Sequence, residues 1–292
     1  MLAFVTTLRH PENSSDYADV EQLLEDSLQS ISQQTCDDYI TVIVGNQRPR
    51  FTLPPRTHFI EVDFDPPSPI RAPGTGPSAA IWDKGTKTGV ALAWLRTSPP
   101  DYVMFFDADD FVHRDVAAYV HDHPGGPGWV VKRGYVYSRR RNAYARRRRL
   151  DRICGTSFII PFAAFDVPPT LAVDATQAAV ADAFGTEVME QVLAGHRYAL
   201  QWWRRRGRVL EVFPFEGAIY HVDTGENHSG NRLSGPALPH SQNLAVDFAV
   251  RPSKPRLATW WSAAGAPAWR PDLRPRRPFF VKPRAPQSSR RR

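Results

Sequence analysis

The sequence predicts an α/β fold: a mostly parallel central sheet flanked by helices, followed by an extended basic C-terminal tail. Three observations carry this expectation. Short apolar runs alternate with an amphipathic stretch in the order strand, helix, strand, which favours parallel pairing with a right-handed crossover. A later apolar run, residues 102–106, stops at the carboxylates Asp107, Asp109 and Asp110, where an open parallel sheet would place a ligand. The chain of 292 residues is 42% hydrophobic and 23% charged, in the range of globular chains able to bury a sizeable core.

The elements follow in order. Leu2–Thr7 is a short apolar run that meets the breaker-rich RHPENSSD, which suits a buried strand entering a loop. From Asp19 the period changes. Val20, Leu23, Leu24, Leu28 and Ile31 recur every three or four residues, forming the apolar stripe of a helix that Asp16 or Asp19 caps. YITVIVGNQ reads as a second buried strand closed by Gly45 and Asn46, and HFIEVDFD as a third. A Pro- and Gly-dense loop over 66–77 precedes a helix expected to begin near Asp83 or Thr86 and to run through GVALAWLR, before the strand DYVMFFDADD. Further strands are expected at WVVKRGYVY, GTSFIIP and RVLEVF, and residues 176–207 read as two helices broken near Gly185.

The net charge of +7 is unevenly spread. Residues 251–292 hold twelve Lys or Arg against Asp272, whereas the first 250 residues carry 25 basic and 29 acidic groups. Eight prolines fall in the same C-terminal stretch, which predicts extended chain. Trp260, Trp261, Trp269, Phe279 and Phe280 imply that part of it packs, since so many large rings are rarely left in water. The expected division is a body over 1–240, with halves 1–110 and 111–240, and a Pro/Arg-rich tail over 241–292. A second basic cluster, 132–152, interleaves ten basic groups with Tyr135, Tyr137 and Tyr144 and reads as a solvated loop between strands.

Some classes are disfavoured. Cys36 and Cys154 lie far apart without CxxC or Cys/His spacing, so neither a disulfide scaffold nor a zinc module is expected. No uninterrupted run approaches the roughly 18 apolar residues of a membrane span, and MLAFVTTLRHPENSSD lacks signal-peptide character. The expected location is cytoplasmic, with peripheral contact to the inner membrane face through the basic segments.

The chemistry concentrates at FFDADD. Carboxylates gathered at a strand end repel one another and lose solvation unless a cation compensates them. Mg²⁺ or Mn²⁺ would do so, sharing oxygen ligands between carboxylates and a bound diphosphate. The alternative is a solvated acidic loop that caps a helix near His113. Upstream, WDKGTKTGVALAW offers a basic helix entrance. The first strand, the amphipathic helix, the strand ending near residue 45, this entrance and the DADD strand together resemble the GT-A glycosyltransferases, particularly their family-2-like group. The resemblance spans roughly residues 1–230 and is most specific over 83–110. It implies a Rossmann-like nucleotide-binding half, a metal-bound nucleoside-diphosphate sugar, and transfer of the sugar to a hydroxyl acceptor held by the second half.

Carried over by position, the resemblance makes Asp107 and Asp109 the DxD metal ligands, Asp109 the more direct. It places base and ribose beside Thr7, Arg9, Asn46 and Asp63; Asn46 stands where many relatives carry an acid. It aims Lys84 and Lys87 at donor phosphates or sugar and lets Asp83 accept from sugar hydroxyls, although the same three residues also suit a helix cap and surface lysines. CGTSFIIP resembles the turn lining the sugar pocket, with Gly155 permitting close approach and Thr156 offering a donor. His196 falls where the family has its acidic catalytic base; an imidazole is competent near neutral pH, but the departure leaves stereochemistry open. His221, then His228, are candidates for a third metal ligand from AIYHVDTGENHSGN, and would favour Mn²⁺; turn and capping roles suit them equally.

The expected partners are a nucleoside-diphosphate sugar and a hydroxyl acceptor, anionic or lipid-linked, with no nucleic acid. Two alternatives stand behind this reading. One is a sugar-nucleotide nucleotidyltransferase, disfavoured because TTLRHPENSSD lacks a Gly-rich basic phosphate loop. The other is a non-catalytic basic protein binding nucleic acid or membrane through 132–152 and the tail.

Overall fold

The computed structural model describes residues 1–67, 77–226 and 230–264. The first half alternates as expected: β1 (Leu2–Thr7), α1 (Tyr17–Ser32), β2 (Tyr39–Gly45), β3 (Thr57–Glu61), α2 (Pro77–Leu95) and β4 (Tyr102–Phe105). Strands β3, β2, β1 and β4 lie side by side in that order, all parallel. Both faces of β1 are buried, and its alternating residues separate the two cores. Leu2 and Phe4 meet Leu24, Leu28 and Ile31 of α1 on one side, while Ala3 and Val5 meet Val90, Leu92 and Leu95 of α2 on the other. Asp16 caps α1, accepting from the Ala18 amide at 2.9 Å. Helix α2 begins at Pro77 rather than near Asp83, because proline is tolerated in a first turn and nothing between it and Asp83 breaks a helix.

The second half departs from one central sheet. It runs β5 (Phe111–Val112), α3 (Val116–Asp122), β6 (Trp129–Val130), β7 (Gly134–Ser138), β8 (Ala143–Arg147), β9 (Phe158–Pro161), α4 (Gln177–Val188), α5 (Ala199–Arg205), β10 (Glu211–Val212), β11 (Ala218–Val222), β12 (Leu238–Pro239), α6 (Gln242–Phe248) and α7 (Arg256–Ala264). Strand β9 joins the first sheet antiparallel to β4 and β6, and β10 closes that edge beside β6. A second sheet has the order β12, β8, β7, β11, β5. The expected single strand WVVKRGYVY is therefore two strands in two sheets. Gly134 permits the second, since a Cβ there would stand 2.3 Å from the Ala218 carbonyl oxygen.

Three further expectations change. The Arg-rich stretch is not a solvated loop: 134–147 is the β7–β8 hairpin, and Arg141 is buried. Residues 242–264 hold two helices where extended chain was expected, and Leu244, Phe248 and Val250 pack with Phe111, Tyr137 and Ile219. The remaining tail, with Trp269, Phe279 and Phe280, lies outside the described residues. The break near Gly185 is present, with φ 75° and ψ 158° inside α4.

Candidate active site

The DADD turn connects the two sheets, running from the end of β4 to the start of β5. Asp110, the last of its carboxylates, faces inward. It is fully buried and accepts from the Thr156 hydroxyl at 2.6 Å, the His221 amide at 3.0 Å and the Cys154 thiol at 3.2 Å. Burial, then the charges of Asp107 and Asp109, hold its carboxyl well above the usual range. Thr156 also accepts from the Asp107 amide at 3.0 Å. Expected at the sugar, Thr156 is instead a buried brace that fixes the turn.

Asp107 faces the crevice. Its carboxylate pairs with the Lys84 ammonium, and Gly155 lies against it so closely that a Cβ there would sit 2.9 Å from Oδ2. Burial works upward on Asp107, but the charge and hydrogen bond of Lys84 hold its carboxyl below the ordinary value. Among the described residues Asp109 has no such partner: Thr224 Oγ1 approaches at 3.5 Å, and burial and the Asp107 charge push the carboxyl up to about 7. Two acids at the end of one strand, facing a single helix-borne lysine, therefore divide into one compensated and one under-compensated group. Among the described residues, no three or more His, Cys, Asp or Glu side chains form a group able to hold a metal ion.

Lys84, Asp107, Gly155 and His196 line one small cavity of about 30 Å³, backed by Phe105, Phe165 and Trp203. His196 lies just before α5, and burial lowers its imidazole to about 4. Lys87 does not share the crevice with Lys84. It is fully buried, and its ammonium donates to the Leu8 carbonyl at 2.8 Å and to Asp83 at 2.9 Å. Asp83 and Lys87 thus tie α2 to the end of β1, a buried pair rather than donor ligands.

At the ends of β1 and β2, Asn46 donates to the Phe64 carbonyl at 2.7 Å, while its own Oδ1 is buried without a hydrogen-bond partner among the described residues. Thr7 is half-buried and Asp63 exposed. Arg9, expected beside base and ribose, pairs with Glu226 at 2.7 Å and also donates to its carbonyl at 2.5 Å. Glu226 accepts from the Ser15 amide at 3.1 Å. This link joins positions 217 apart, a contact with no signature in local sequence spacing. His221 stands on β11 rather than in a loop, 2% exposed between the rings of Phe111 and Tyr137, with Nδ1 3.2 Å from the Asp109 carbonyl oxygen. His228 lies outside the described residues.

No protein-family model matches the chain. A curated relative, the UDP-N-acetylglucosamine–peptide N-acetylglucosaminyltransferase stabilizing protein GtfB of Streptococcus parasanguinis, is 29% identical over 101 residues, which is 31% of this chain and 22% of that protein. Among solved structures, S. aureus TarS 1–349 in complex with UDP-GlcNAc overlaps at a TM-score of 0.40 and 13% identity, covering 80% of this chain and 62% of that one. A nucleotide-diphospho-sugar transferase of Desulfovibrio desulfuricans overlaps at 0.37 and 10% identity, covering 75% and 80%. The chain thus spans about a fifth of the curated relative and less than two thirds of TarS 1–349. The fold is GT-A-like. The likeness lies in the parallel β3-β2-β1-β4 half, the antiparallel β9 beside it and the acidic turn after β4.

Proposed function

We propose that this chain is a glycosyltransferase that takes a nucleoside-diphosphate sugar and passes the sugar to an acceptor hydroxyl. The observation that carries the reading is the Asp107–Asp109 pair at the carboxyl end of β4, where one carboxylate is under-compensated and sits at about 7. Such a site favours an added cation. The donor set fits Mg²⁺ or Mn²⁺, which are commonly held by one or two carboxylates and completed by diphosphate oxygens and water. Asp107 and Asp109 would hold the ion, and it would supply charge neutralisation to the leaving diphosphate.

The chain's own residues supply the rest. The unpartnered Oδ1 of Asn46 suits a donor group on a nucleotide base, because a buried acceptor without a partner gains most from one. Gly155 keeps the space beside Asp107 open, and Lys84 holds that carboxylate ionised and oriented. His196 is neutral at physiological pH, the state needed to accept a hydroxyl proton. At about 4 its pull on that proton is weak, so it orients the acceptor better than it deprotonates it. Exposed arginines at 146–149 suit an anionic or lipid-linked acceptor.

The test is thermal melting with UDP or GDP, each with and without Mn²⁺, followed by donor hydrolysis. Stabilisation is expected only with nucleotide and metal together, of order 3 kcal/mol at a hundredfold excess over Kd, and is expected to vanish in Asp109→Asn. Turnover that persists in that variant without metal would overturn the mechanism. A second reading, a non-catalytic stabilising partner of a glycosyltransferase, is favoured by the likeness to the stabilizing protein GtfB and by histidine at the expected acidic-base position. It predicts nucleotide binding without donor turnover for any acceptor.

A further inference from the structure

Helix α7 is amphipathic in the inverse sense. Its inner face is small and polar. Thr259 and Ser262 are buried, Thr259 accepting from the Asn142 amide at 2.7 Å and Ser262 from the Lys254 ammonium at 2.9 Å. Its last carbonyls, on Ser262 and Ala263, accept from the Arg141 guanidinium at 3.2 and 2.9 Å. The outer face carries the large apolar groups: Leu257 is 87% exposed, Trp260 58% and Trp261 63%. Positions 257, 260, 261 and 264 follow the three- and four-residue spacing of one helical stripe, and Ala264 is exposed with them. Helix α7 is therefore anchored by polar contacts and presents its apolar stripe outward, the reverse of a helix that docks to its own core.

We propose that this face docks on an anionic lipid bilayer. Tryptophan is well suited to the membrane interface, with an apolar ring body and a polar N–H that can stay at headgroup level. The sequence supplies complementary charge: Arg251, Lys254 and Arg256 lead into the helix and nine further Lys or Arg follow it in the chain, and basic groups near an apolar helix face add electrostatic attraction to acidic headgroups. Helix α7 also packs on β8, the strand that leads into the exposed arginines at 146–149. No described helix is long and apolar enough to cross a membrane, so the contact is one of lying on the surface. A second copy of the chain would have to bring its own exposed arginines at 146–149 toward the same face, which disfavours it.

The experiment uses the full chain and sedimentation with two vesicle preparations, phosphatidylcholine alone and phosphatidylcholine mixed equally with phosphatidylglycerol. Partition is expected only with the mixed vesicles, to weaken with added salt, and to shift tryptophan emission to the blue. The double variant Trp260→Ser, Trp261→Ser is expected to lower partition by about tenfold or more, as loss of interfacial apolar area requires. Its melting temperature should be unchanged, because neither ring supports the core. Equal partition of variant and wild type would overturn the proposal. So would a mass in solution that shows a dimer lost in the variant, or protection of both tryptophans from a soluble quencher before any vesicle is added, which would assign the face to residues 265–292. None of these outcomes bears on nucleotide binding at the crevice.

Discussion

Gly155→Ala isolates the geometry of the acidic pair from the stability of the fold. The backbone at Gly155 is not left-handed, so alanine brings no conformational strain, and the three atoms nearest its added Cβ all belong to Asp107: Oδ2 at 2.9 Å, Oδ1 at 3.3 Å and Cγ at 3.4 Å, where ordinary contact begins at 3.4 Å. The carboxylate must retreat by about half an ångström. Its main chain cannot follow, because the Asp107 amide is held by Thr156 and its carbonyl accepts from the Asp110 amide at 2.9 Å. Relief comes from rotating the side chain, which loosens the pair with Lys84. That pair is partly exposed, and an ion pair of this kind contributes no more than about 1 kcal/mol, so the melting temperature should fall by only a few degrees. Function should fall further, since a misplacement of this order at reacting geometry costs on the order of 10²-fold. The assay pairs thermal denaturation with metal-dependent donor binding and turnover. A variant that binds and turns over donor like the wild type would refute the role given to Asp107.

Two more outcomes follow from buried charge and from titration. Arg141 donates to the carbonyls of Leu233, Gly235, Ser262 and Ala263 at 2.7–3.2 Å; Arg141→Ala, leaving those acceptors behind, should destabilise by about 3–5 kcal/mol. Hydrogen exchange in α7 should rise, with Arg141→Lys intermediate because it cannot fork, and unchanged exchange would contradict the anchoring role. Burial depresses His221 to about 3 in the fold. Above about pH 6.5 neither state carries the proton; below it the unfolded chain takes one that the fold refuses, so stability falls at up to about 1.4 kcal/mol per pH unit toward pH 3. Denaturant titrations of His221→Gln between pH 7 and about pH 5 should show a shallower loss than the wild type; equal slopes would exclude His221 as the source.

The first half was legible because its signals are local. Buried strands need continuous apolar runs, α1 needs its stripe and its Asp16 cap, and an acidic strand end marks the crevice. The second half was not, for reasons that are also physical. WVVKRGYVY has the composition of one strand, and only the approach of the Ala218 carbonyl to Gly134 shows why the chain leaves one sheet and enters another. Arginines at 139–149 look solvated by composition, yet Arg141 is stabilised by main-chain carbonyls supplied from 233–263, which no window around it contains. At the site, sequence spacing put Lys84 and Lys87 on one helical turn, but it could not show that the Leu8 carbonyl would claim one ammonium and Asp107 the other. The same holds for Arg9, whose partner Glu226 lies near the other end of the body.

The acidic turn is also a joint. Five residues separate β4 from β5, where the chain has already entered the second sheet, and Asp110 is fastened to both sides, by Thr156 ahead of β9 and by the His221 amide on β11. Any shear of one sheet against the other must therefore tilt the carboxylates that flank this fastening. Whatever seats itself between Asp107 and Asp109 gains leverage over the whole body, and a substitution deep in either core can reach the crevice without touching it.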